Sequence, residues 1–155
     1  MSDPALKNQF NVTNIIYTAL LSGQVFFFAI AMYIVEKGMR QPDPALDEIF
    51  KILVPVVGIL SMFGSYKYYS FKIVTIPREN TLIQKIAEFR TIKIVQWAIL
   101  EGAGFLSLIA FLLTGNYFYV IVLLFLIGYN FLSRPSKEIF INDCKISGAD
   151  KSLIL

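Results

Sequence analysis

FNVTNIIYTALLSGQVFFFAIAMYI, residues 10–34, lies without a gap over FRTIKIVQWAILEGAGFLSLIAFLL, residues 89–113, when the chain is shifted by 79 positions. Eight of the 25 pairs are identical, among them Ala19/Ala98, Gly23/Gly102 and Phe26/Phe105. Most of the first copy falls in the 21 uncharged residues 15–35. That is about the ~20 residues an α-helix needs to cross ~30 Å of hydrocarbon at 1.5 Å per residue. The stretch therefore reads as a membrane-length helix present twice. At one position the copies differ in chemistry: Ser22 of the first corresponds to Glu101 of the second.

Working outward, a second span is expected over about 49–69, where only 52–66 is free of charge and Lys51 and Lys67 can snorkel toward the interfaces. No residue from 102 to 133 is charged, and Thr114, Gly115 and Asn116 interrupt that run with turn chemistry. The run divides into a third span, 93–114, and a fourth, 117–133. The expected fold is an all-α integral membrane protein, with four transmembrane helices as two tandem-repeated hairpins in 1–133 and a cytoplasmic tail, 134–155. Pro55 is expected to kink the second span, because it removes a backbone donor. The length of the first run, and the lack of a small-x-small site after it, argue that it is retained rather than cleaved as a signal peptide.

Eleven of the 14 basic residues fall on one side of this topology: Lys7, then Lys67, Lys72, Arg78, Lys85, Arg90 and Lys93, then Arg134, Lys137, Lys145 and Lys151. Lys37, Arg40 and Lys51 fall on the other. Because Lys and Arg bias loops toward the cytoplasm, both termini are expected there, in a bacterial inner membrane. Two cytoplasmic segments carry helix signals. Thr81 and Gln84 form a capping-box pair ahead of apolar Leu82, Ile86 and Phe89, which predicts an amphipathic helix running into the third span. Its expected place is the headgroup layer, with partner docking as the alternative. Residues 136–146 predict a short interfacial helix, followed by a break at Ser147 and Gly148 and a frayed end at 152–155.

Composition narrows the function. The chain is 56% hydrophobic and contains no His and one cysteine, Cys144. It lacks the residues for a His-ligated haem, a Cys/His zinc site or an intrachain disulfide, so neither a cofactor nor a metal is expected. The net charge of +3 is explained by topology rather than by nucleic acid. No nucleophile-elbow, zincin, P-loop or dinucleotide pattern occurs and the spans contain no Asp, so the chain is not expected to be an enzyme.

Glu101 lies eight residues past Lys93, roughly 12 Å along a helix from the cytoplasmic boundary. Its side chain is too short to snorkel that far, so it must take up a proton or find a partner that stabilises the ion. Counting depth by helix rise places Ser22, Ser61, Ser65, Tyr129 and Asn130 in the same polar layer, with Gln24 and Gln96 as further members if their faces point inward. Ala19 and Gly23, and Ala98 and Gly102, are small-xxx-small pairs that suit close helix packing, either between spans one and three or with another protomer.

Residues 94–113, IVQWAILEGAGFLSLIAFLL, resemble the carboxylate-bearing helix of the rotary ATPase proteolipids, the c or K subunits. The resemblance implies Glu101 as carrier of H+ or Na+, with Ala98, Gly102 and Gly104 as packing positions in a ring of subunits. As a whole the chain looks like bacterial four-span inner-membrane proteins. Two functions stay open on sequence alone. One is a non-catalytic subunit or small scaffold, acting as a homo-oligomer or with other membrane subunits. The other is an ion-translocating subunit or ion-coupled carrier that uses Glu101.

Overall fold

In the computed structural model, which describes residues 4–39, 41–146 and 148–154, the chain is helical and the described residues include no strand. Six helices follow in order: α1 Pro4–Glu36, α2 Pro44–Ile73, α3 Leu82–Thr114, α4 Phe118–Leu132, α5 Lys137–Asp143 and α6 Ala149–Ile154. Arg40 and Ser147 of the expected loops, and Leu155 of the expected frayed end, lie outside the described residues.

Local chemistry sets the ends of these helices. The Thr81 hydroxyl accepts from Gln84 N at 3.4 Å and the Gln84 carboxamide oxygen accepts from Thr81 N at 2.9 Å, the reciprocal pair that satisfies two donors at the start of α3. The same helix stops where Gly115 turns left-handed at φ +67°, a conformation that costs a residue with a Cβ, and Gly115 N donates to the Phe111 carbonyl oxygen. Asp43 caps α2 and Ser136 caps α5. Pro55 sits inside α2, whose helical assignment runs through it unbroken.

Three helices, α1, α2 and α3, are long and apolar enough to cross a membrane. The expected fourth span comes out as a 15-residue helix, α4, bent by 69° from α5 at the Pro135 break. Fifteen residues rise only about 22 Å, short of the hydrocarbon thickness, so α4 completes a crossing only together with the residues after it.

The helices surround α3. In its most apolar stretch 56% of residues are buried, against 17% for the corresponding stretches of α1 and α2. The faces left uncovered are apolar: Phe26, Leu60, Phe63 and Phe125 are each more than 60% exposed. At ~25 cal/mol per Å² such surface is costly in water, and hydrocarbon is the solvent that suits it.

α1 and α3 run parallel. Gln9 meets Arg90, Tyr17 meets Trp97, Gln24 meets Gly104 and Phe27 meets Phe105. α2 runs antiparallel to α3, with Asp43 N bonded to the Leu113 carbonyl oxygen at one end and the Tyr69 ring under Lys93 at the other. α4 is antiparallel too, meeting Phe111 through Tyr117 and Trp97 through Ser133.

Both ends of the described chain close one end of the bundle. Leu6 and Phe10 of α1, Ile73 and Ile76, Ile86 and Phe89 of α3, Phe140 and Ile141 of α5, Ile146 and Ile154 form one buried cluster. Phe140 packs edge-on to both Phe10 and Phe89, with ring centroids 5.2 and 5.3 Å away. The first turns of α3 thus belong to a packed cap instead of lying alone in the headgroup layer. The expected fraying at the C-terminus is likewise replaced by α6, because Ile154 finds an apolar site in that cap and is fully buried.

Candidate functional site

Trp97, Glu101, Gly104 and Leu108 succeed each other at spacings of four, three and four residues, so they share one face of α3. Trp97 meets Tyr17 of α1 with ring centroids 5.0 Å apart, and Leu108 joins the cluster that holds Ala31 of α1. Glu101 is therefore on the stripe turned to α1, between the Tyr17 and Gln24 levels. Glu101 is 8% exposed, and its Oε1 is buried without a hydrogen-bond partner among the described residues.

Gln24 is its neighbour one level along. This side chain is 1% exposed, and its Nε2 is the other buried side-chain polar atom without a partner among the described residues. The amide lies directly on Gly104: a Cβ added there would overlap Nε2, and the absence of a side chain is what admits it. α4 closes this level through Leu123, also in contact distance of the Gly104 position.

Toward the cap, polar groups continue from Glu101. The Tyr17 hydroxyl donates to the Asn130 carbonyl oxygen at 3.3 Å, and Trp97 Nε1 donates to the Ser133 carbonyl oxygen at 3.3 Å. Lys93 is 3% exposed. Its Nζ donates to that same Ser133 oxygen at 3.3 Å and to Gln96 Oε1 at 3.1 Å, and sits 4.0 Å from the centroid of the Tyr69 ring. Such a ring face stabilises an ammonium held away from water. The Tyr69 hydroxyl donates in turn to the Asp143 carboxylate on α5. In the other direction the filling is apolar, with Leu108, Ala110, Phe111, Leu123, Ala31 and Val54 forming one cluster. Polar groups thus lead from Glu101 to one end of the bundle.

Of the residues placed in one layer by depth, Asn130 is buried beside Tyr17. Ser65 is buried but donates to its own helix, at the Met62 carbonyl oxygen. Tyr129 and Ser61 are half-buried, Tyr129 against the cluster of Leu100, Ala103 and Leu126. Ser22 is exposed on the outer side of α1, because the shift that aligns it with Glu101 does not turn it to the same neighbour. Ala19, Gly23, Ala98 and Gly102 are all exposed, and a Cβ at Gly23 or Gly102 would meet nothing within 4 Å. The α1–α3 contact runs instead through aromatic pairs and the Gln24–Gly104 approach.

Lys93 is legible in the sequence only as a boundary charge, since its enclosure involves Tyr69 of α2 and Ser133 at the end of α4. Among the described residues no group of three or more His, Cys, Asp or Glu side chains could hold a metal ion. Cys144, in the cap, has its thiol pushed up to about 12 by burial and, secondarily, by the Asp143 carboxylate, which keeps it protonated and unreactive.

Compared with protein-family models, with curated proteins and with solved structures, the chain matches none of them.

Proposed function

We propose that this chain is a four-span subunit of a bacterial inner membrane, with both termini in the cytoplasm, and that it works by loading and unloading a proton on Glu101 from the cytoplasmic side. One observation carries the reading: a carboxylate oxygen and a carboxamide nitrogen, Glu101 Oε1 and Gln24 Nε2, are both buried at membrane depth without partners among the described residues. A carboxylate kept to fix helix register would be expected to hold a hydrogen bond to a neighbouring helix. An unsatisfied one, at a cost of about 1–3 kcal/mol, marks a group whose chemistry is used. The polar run through Asn130, Tyr17, Gln96 and Lys93 favours access from the cap, and the lysines and arginines around that end favour the cytoplasm. A proton is favoured over Na+, since the face beside Glu101 offers an indole, a glycine and an amide rather than a shell of oxygens.

A second reading, a scaffold without ion chemistry, draws on the outward-facing Ala19, Gly23, Ala98 and Gly102, which suit contact with another copy or another membrane subunit. The tandem-repeat reading draws on the α1–α3 contacts, whose partners lie 81, 80, 80 and 78 residues apart. Carbodiimide labelling of the protein in membranes separates the two functions. Under the proton reading Glu101 is labelled, labelling falls as the pH on the cap side rises, and Glu101→Gln abolishes both labelling and proton uptake into vesicles. Unlabelled wild type, or uptake that survives in Glu101→Gln, would leave only the scaffold.

A further inference from the structure

Between the first turns of α1 and the start of α5 lies a cavity of about 360 Å³, lined by Lys7, Asn11, Asn14, Ser136 and Lys137 over the edge of the Phe10 ring. We infer that this cavity binds the phosphodiester headgroup of an anionic phospholipid. The argument begins with spacing. Lys7, Asn11 and Asn14 stand four and three residues apart on α1, so one helix face presents an ammonium and two carboxamides in file. Lys137 brings a second ammonium from the facing segment, and Ser136 brings a hydroxyl whose oxygen already accepts from Ile139 N, leaving its proton to donate outward.

Among the described residues the one ion pair is Lys51 with Asp47, at the other end of the bundle, and no described carboxylate lies within ion-pair distance of Lys7 or Lys137. Of the acids nearest to them in sequence, Glu138 beside Lys137 is exposed, and Asp3 before Lys7 lies outside the described residues. A cavity of this size with ammonium, amide and hydroxyl donors and no acid suits a phosphate.

Position selects the lipid as the source. Asn14 directly precedes Ile15, where the expected first span begins, and Ser136 comes three residues after Ser133, which ends the expected last one. The cavity is thus at headgroup level, on the side where anionic lipid attracts basic residues. Just inside that level Ile15 of α1 and Phe131 and Leu132 of α4 are exposed, at the depth of the acyl chains.

The test is lipid titration of the purified full chain in neutral detergent, read by native mass spectrometry. Phosphatidylglycerol should be retained at concentrations at least tenfold lower than phosphatidylcholine. Lys7→Gln with Lys137→Gln should reduce that preference to about twofold or less, whereas Lys67→Gln with Lys72→Gln, exposed lysines of the same end, should leave it intact. Asn14→Leu keeps every charge but replaces a carboxamide of the lining by an apolar side chain, and should also remove the preference; it decides the matter if the double lysine variant does not fold. Preference that survives both Asn14→Leu and the loss of the two lysines would overturn the site. Displacement of the lipid by millimolar inorganic phosphate would overturn the lipid assignment and make it a site for soluble phosphate.

Discussion

Asp47, at one end of the bundle, and Glu101, in its middle, differ in what their carboxylates meet. Asp47 accepts from the Tyr119 hydroxyl at 2.7 Å and from Asn116 Nδ2 at 3.0 Å, and pairs with Lys51 at 2.8 Å. Its backbone oxygen also accepts from Tyr119, at 3.0 Å. These bonds fasten the first turn of α2 to the turn between α3 and α4. Glu101 sits deeper, in a less polar setting, and has a buried oxygen with no partner among the described residues. The hydrogen-bond inventory thus separates an acid that fastens two helices from one that, under the proposed function, carries a proton.

The comparison breaks or holds first on stability. Glu101→Met removes an unpaired buried oxygen and gives up no visible hydrogen bond, so it should stabilise the protein by about 1–3 kcal/mol while abolishing carbodiimide labelling. Asp47→Ala removes the acceptor of three side chains and should lower the melting temperature in the same detergent. If Glu101→Met melts below the wild type, Glu101 is structural after all and the contrast fails. A smaller effect sharpens the fastener. Tyr119→Phe keeps the buried ring and deletes only the hydroxyl, and should cost about 1 kcal/mol in reversible unfolding with labelling of Glu101 unchanged.

Sequence alone went further for the helices than for the site. Uncharged runs, the Thr81 and Gln84 capping pair and the Gly115 turn are local signals, and each marks a boundary the structure shares. Which of two similar helices becomes the central one is not local. The α1 and α3 stretches have nearly equal mean hydropathy, 1.9 and 1.8, yet three helices converge on α3 and leave α1 at the edge. That choice decides why Glu101 is enclosed while Ser22, its aligned counterpart, is exposed. The same limit applies to Gln24 and Lys93, because a lone polar residue in an apolar helix shows no periodicity to betray its face. Gln24 meets Gly104, and Lys93 meets Tyr69 and Ser133, contacts made by residues 80, 24 and 40 positions away.

The finest division is between two glycines two positions apart. Gly102 opens outward, with nothing within 4 Å of the place a Cβ would take, whereas Gly104 carries the Gln24 amide. Alanine at 104 forces that amide aside, but the atom displaced is the far end of a flexible side chain, so the change in stability should stay below about 0.5 kcal/mol. The consequence falls on chemistry instead. Gly104 is one helical turn from Glu101, and moving the amide shifts a buried donor that has no partner among the described residues. Gly104→Ala should therefore alter the rate of carbodiimide labelling severalfold at nearly constant melting temperature, and Gly102→Ala should alter neither. Equal behaviour of the two variants would mean that Gln24 does not act on Glu101, and would reduce the site to the carboxylate alone.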